Sequence, residues 1–158
     1  MGRPITIEDL AFGLPPKARL IGVDLGSKTI GLAISDVERR LASPLKTLPR
    51  GVFAKDAEAL SAIFSEFEVA GIVLGLPLTL DGHDNPRAQS TRAFARNLST
   101  TTNLPIVLWD ERFSTAAVTR ALIASDVSRA RRAQVVDKMA AAYILQGALD
   151  RLDRLARP

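Results

Sequence analysis

Two apolar runs separated by a short polar break dominate the first third of the chain. Leu20-Ile21-Gly22-Val23 leads into Asp24 and Leu25, and Ile30 to Ile34 follows after Gly26-Ser27-Lys28. This pattern predicts an antiparallel hairpin, with strands over Arg19–Leu25 and Thr29–Ser35. A third strand is expected at Ala42–Leu48, where Pro44 assigns it to a sheet edge. The period then changes. Ala59, Leu60, Ile63, Phe64 and Phe67 recur at helical spacing, which predicts an amphipathic helix over Lys55–Phe67. Gly71–Gly75 is a wholly apolar run, as expected of a strand buried on both faces and paired in parallel after a helical crossover.

Beyond Pro77 the loop Thr79–Pro86 is polar, and Pro86 opens a predicted helix to Leu98. Leu104–Trp109 reads as a further buried strand, followed by Asp110-Glu111-Arg112. Ser114 is expected to cap a helix over Thr115–Ala124. Asp126–Ala133 reads as a basic loop, and Gln134–Arg154 as a long terminal helix. Three strands followed by alternating helices and strands specify an α/β architecture with a mixed sheet. Residues 1–18 form a lead-in expected to lie at the periphery, with a helical turn at Thr6–Leu10 broken by Pro15-Pro16. Residues 19–156 are expected to form one domain.

The chain's 158 residues are enough for a real core, and 47% apolar with 24% charged residues is ordinary globular composition. Cysteine is absent, which removes disulfides, thiolate catalysis and cysteine-ligated metals. No apolar stretch has the form of a signal peptide or reaches membrane-spanning length, so a cytoplasmic, non-membrane protein is expected. The formal net charge of +4 fits a polyanionic partner, as does the cluster Arg129, Arg131 and Arg132 in the expected loop.

Three acidic positions stand beside apolar sequence. Asp24 ends the apolar run of the first strand, and a charge there is costly to bury without a partner. Asp110 and Glu111 follow the Leu104–Trp109 run. Asp137 shares a helix stripe with Ala140, Ala141 and Ile144. Converging carboxylates repel unless a cation intervenes, and hard divalent ions take oxygen ligands of this kind. Each position also has a plain alternative: Asp24 as a turn cap, Asp110 or Glu111 as a helix-start charge, Asp137 as an arginine's partner. Lys28 and Arg112 are either phosphate contacts or ordinary surface charges, and His83 reads as a solvated loop residue.

Taken together, the blocks are more specific. Ile21–Asp36 carries G-V-D-L-G-x-K-x-I-G-L-A-x-S-D. It is followed in order by Gly71–Leu80, the helix with Phe94-Ala95 and Leu98, Asp110–Thr115, and Val136-Asp137 with Ala140–Gln146. This arrangement resembles the YqgF family, also called RuvX, bacterial Holliday junction resolvases also described as nucleases of pre-16S rRNA maturation. The resemblance spans roughly residues 18–150. It implies a ribonuclease H-like fold with the three-strand meander first, and a nuclease dependent on Mg2+ or Mn2+.

It also implies that Asp24, Glu111 and Asp137 are the catalytic metal ligands. RuvC-type relatives place an acidic residue at the end of the fourth strand. This chain has Gly75-Leu76-Pro77 there, so the second carboxylate must come from Asp110 or Glu111, and period-2 alternation alone does not decide which. The implied partners are precursor rRNA or branched DNA, contacted through Lys28, Arg112, Arg129, Arg131 and Arg132. Junction resolution would favour a homodimer. Two further readings stay open: a nucleic-acid-binding module without catalysis, and an actin-like ATP-binding fragment suggested by Val23–Thr29.

Overall fold

A computed structural model describes the chain over residues 4–113 and 129–157, with the backbone alone over 129–137. The elements run α1 (Ile7–Gly13), β1 (Arg19–Leu25), β2 (Thr29–Ser35), β3 (Ala42–Pro49), α2 (Phe53–Glu66), β4 (Val69–Leu76), α3 (Pro86–Leu98) and β5 (Ile106–Asp110). A single 3-10 turn (Glu111–Phe113) and α4 (Arg129–Ala156) complete the order. The five strands form one sheet in the order β3-β2-β1-β4-β5. β1, β2 and β3 pair antiparallel, whereas β4 joins β1, and β5 joins β4, in parallel. β3, the strand with Pro44, is an edge strand as its sequence requires.

The two sheet faces bury different residues, because successive side chains on a strand alternate. Ile21, Val23, Ile72, Leu74 and Ile106 face Leu60, Ile63 and Phe64 of α2 and Phe94 and Leu98 of α3. Leu20, Val73, Val107 and Trp109 face Ala140, Ala141, Ile144, Leu145 and Leu149 of α4. The alanines of α4 let its backbone lie close to the sheet. A Cβ added to Gly22 would stand 2.7 Å from Leu145 Cβ and 2.8 Å from the Ala141 carbonyl oxygen, so β1 has glycine where the helix crosses it.

Two expectations change. The lead-in, expected at the periphery, packs into the core: Ile7 and Leu10 are buried on the α4 side, and Ile5 forms a parallel bridge with Val107. Thr6 caps α1 by accepting the Asp9 N–H at 3.1 Å. Arg129–Ala133, expected as loop, is helical and forms the first turns of α4. Alanine and arginine are strong helix formers, and a polar stretch without apolar periodicity still extends a helix already begun. The expected helix over Thr115–Ala124 and its Ser114 cap lie outside the described residues.

Candidate metal centre

Asp24 lies in β1 directly opposite Gly31 of β2. Val23 pairs with Leu74, so Asp24 and Gly75 each stand one step beyond that pair on neighbouring strands. Gly75 in turn pairs with Trp109. Alternation puts Asp24 on the same face as Leu20 and Gly22, the face covered by α4. Trp109 shares that face, and Glu111 follows in the turn just past the strand end. The placement is confirmed by contact: a Cβ on Gly75 would lie 3.3 Å from Glu111 Cγ and 2.5 Å from Ile144 Cδ1. Asp24 is 1% exposed and Glu111 7%. Two buried carboxylates thus flank a position with no side chain, at the carboxyl ends of three parallel-connected strands, the usual location of sites in open α/β sheets.

Asp110 is turned to a different use. It accepts hydrogen bonds from Arg112 Nε at 3.1 and 3.0 Å, from Arg112 Nη2 at 2.6 Å and from the Arg112 backbone N–H at 3.0 Å. Partial burial raises the Asp110 pKa, but the hydrogen bonds and charge of Arg112 outweigh it and hold the carboxyl below the usual range. Arg112 Nη1 also donates to the Leu80 carbonyl oxygen at 3.3 Å, and its guanidinium lies 5.8 Å from the Phe113 ring centre. Of the two acidic neighbours left open by the sequence, Glu111 therefore shares Asp24's face. Asp110 and Arg112 form a clamp that fixes the turn carrying Glu111 to the loop after β4.

That loop is cross-braced. Asn85 donates to the Pro77 carbonyl oxygen at 2.8 Å and caps α3 by accepting the Ala88 N–H at 2.8 Å. Thr79 donates to Asp81, and His83 Nδ1 lies 2.8 Å from Asp81. Hydrogen bonds from Thr79 and His83 lower the Asp81 pKa. The bracing delivers Arg87, in the first turn of α3, to the site: its Nη2 is 3.7 Å from Asp24 Oδ1. Arg87 reads in sequence only as part of a basic helix with Arg92 and Arg96. No local signal marks it, because its partner lies on a strand far away in the chain.

Lys28 is exposed in the β1–β2 turn, where its carbonyl oxygen accepts the Arg50 N–H at 2.9 Å. Arg50 is another residue that the sequence did not flag: it donates to the Gly26 carbonyl oxygen at 2.7 Å and to Ser90 at 3.2 Å, tying the hairpin turn to α3. Asp137 lies in α4, one turn before Ala140 and Ala141, which are buried against the sheet. Its side chain, like those of Arg129, Arg131 and Arg132, is outside the described residues. Among the described residues, no group of three histidine, cysteine or acidic side chains is arranged to hold a metal. The donors present suit a hard divalent ion, which takes carboxylate oxygens as ligands.

The pattern of the RuvX family, described as Holliday junction resolvase, matches residues 18–151. A protein of Methylocella silvestris named "Putative pre-16S rRNA nuclease" is 58% identical over 96% of this chain and 94% of its own length. A Beijerinckia indica protein of the same name is 64% identical over 88% of this chain and 84% of its own. Among solved structures, Thermus thermophilus RuvC in complex with a Holliday junction substrate superposes with a TM-score of 0.55 at 11% identity, covering 86% of this chain and 96% of that one. The yeast mitochondrial Holliday junction resolvase gives 0.52 at 12% identity, covering 94% and 85%. These two share the fold.

Proposed function

The chain belongs to the RuvX family and is a nuclease, and from that premise we propose that it hydrolyses phosphodiester bonds at the 5′ end of precursor 16S rRNA. Asp24, Glu111 and Asp137 would hold divalent metal, Mg2+ or Mn2+. The observation that carries this reading is the pair of buried carboxylates, Asp24 and Glu111, on one sheet face with Gly75 between them. Burying two carboxylates on one face of the sheet is costly without positive charge to balance them. When bound, the metal supplies Lewis acidity and an activated water for attack on phosphorus. The chain's part is to fix the ligands. β1 holds Asp24, the Asp110–Arg112 clamp holds the turn bearing Glu111, and α4, whose Ala140 and Ala141 pack on the sheet one turn on, would supply Asp137.

Lys28, exposed in the turn just past Asp24's strand, would meet a phosphate. Arg129, Arg131 and Arg132 lie in the first described turns of α4, and their positive charge would favour a phosphate backbone. Arg112 serves the clamp first, and any nucleic-acid contact it makes adds to that. An rRNA precursor as substrate places the protein in the cytoplasm. No helix among the described residues is long and apolar enough to cross a membrane.

A second reading, Holliday junction resolution, has the family description in its favour. It carries a homodimer with it, because paired symmetric cuts need two sites. The rRNA reading is favoured because the relatives named for it align over most of their length.

The test is cleavage of a pre-16S 5′ fragment and of a four-way DNA junction by the wild type and Asp24→Asn, with and without Mg2+ or Mn2+. Metal-dependent cleavage of the rRNA fragment, lost by more than about a hundredfold in Asp24→Asn, is expected. Undiminished cleavage by that variant, purified free of host nucleases, overturns the site.

A further inference from the structure

Arg87 offers a cation to one of the carboxylates assigned to metal. Its guanidinium lies 3.7 Å from Asp24 Oδ1, and the two side chains differ sharply in burial: 48% of Arg87 is exposed against 1% of Asp24. Asp24 is held by a strand buried along its length. Arg87 reaches it on a long stem from the first turn of α3, half in solvent. The carboxylate is therefore the fixed partner and the arginine the movable one. Neighbouring arginines are engaged elsewhere: Arg92 with Asp84 at 3.2 Å, Arg112 with Asp110 at 2.6 Å, Arg50 with Gly26 and Ser90.

We propose that Arg87 is a placeholder cation that occupies Asp24 while the site holds no nucleic acid and moves to a backbone phosphate of the substrate when it binds. The proposal rests on Asp24 being a metal ligand. Two cations compete for one carboxylate, so the arginine weakens metal binding to the free protein. A phosphate offers guanidinium two oxygens in a matching fork, which a single carboxylate oxygen at 3.7 Å does not. Substrate thus draws Arg87 off Asp24 and favours metal loading. By linkage, metal loading favours substrate to the same degree. The protein would carry little metal until its substrate arrives.

The test uses the full chain. Calorimetric titration with Mn2+, in the absence of nucleic acid, compares the wild type with Arg87→Gln, Arg87→Lys and Asp24→Asn. Arg87→Gln should bind Mn2+ roughly three- to tenfold more tightly than the wild type, the range of a partly exposed ion pair. Arg87→Lys keeps the charge and should stay near the wild type, which separates charge from packing. In EDTA, a fluorescein-labelled pre-16S 5′ hairpin should bind Arg87→Gln several-fold more weakly, with the salt slope reduced by about one. Unchanged or weaker Mn2+ affinity in Arg87→Gln, with Asp24→Asn losing Mn2+ binding, overturns the placeholder and leaves the metal site standing. Unchanged hairpin affinity and salt slope overturn the transfer to phosphate. Wild-type Mn2+ affinity in Asp24→Asn overturns the metal reading of Asp24 and the placeholder with it.

Discussion

Asp110 and Glu111 are adjacent, equally acidic and chemically interchangeable on paper, yet they meet different surroundings. Glu111 stands beside Gly75 on the face of Asp24, while both oxygens of Asp110 are taken by Arg112. Glu111→Gln should lose more than about a hundredfold in cleavage with an unchanged melting temperature. Asp110→Asn should keep cleavage within about tenfold and lose about 0.5–1.5 kcal/mol of stability, the worth of a partly exposed, charge-assisted clamp. The sign of its pH dependence follows from Arg112. The folded pKa of Asp110 lies below its ordinary 3.8, so the clamp's contribution is full above that value and fades as pH falls through the folded one. Melting curves should therefore separate the wild type from Asp110→Asn at pH 7 and bring them together as the pH falls through the folded pKa of Asp110. A gap that persists in acid would mean the clamp is not ionic. Sequence alone could not choose between the two acids, because alternation stops having meaning where a strand ends. The choice is made by the neighbouring strand, through the pairing of Gly75 with Trp109.

Most elements were legible because apolar period and flanking punctuation agree. β1 and β2 have the bounds their sequence predicts, and Pro86 does open α3 behind the Asn85 cap. The lead-in misled because Pro15-Pro16 suggests a detached segment. The spacing of Ile7 and Leu10, one helical turn apart, was the signal that α1 packs inward. α4 lies close against β1 and β4, and two glycines set that approach unequally. At Gly22 an added methyl meets the Cβ of Leu145 and a backbone oxygen, neither of which can rotate away. At Gly75 it meets the far end of Ile144, which can, and Glu111. Gly22→Ala should therefore cost about 2–3 kcal/mol in denaturant unfolding, and Gly75→Ala less. Gly75→Ala should instead reduce cleavage beyond its loss of stability, since the methyl presses on Glu111. Equal stability losses with full activity in Gly75→Ala would show that the close packing of Gly75 against Glu111 does not bear on cleavage.

At the scale of the molecule, the net charge of +4 is modest, so binding to a polyanion depends on where the positive charge is placed. Arg129, Arg131 and Arg132 were read in sequence as a basic loop. Their backbone is instead the first described stretch of the helix that carries Asp137, the third proposed ligand. Charges on that stretch of helix can orient a phosphate backbone relative to the carboxylates, which a loop would do only loosely. Such contacts carry no base information and release counterions. Replacing all three by serine should weaken binding to a pre-16S fragment and to unrelated structured RNA alike. It should also lower the slope of log affinity against log salt by about two to three. Fluorescence anisotropy in EDTA across a salt series measures this without cleavage. A changed preference between RNAs at constant slope would mean that these arginines read shape or sequence. An unchanged slope would mean that the backbone passes elsewhere and that Lys28, on the hairpin turn, is the better guide to its path.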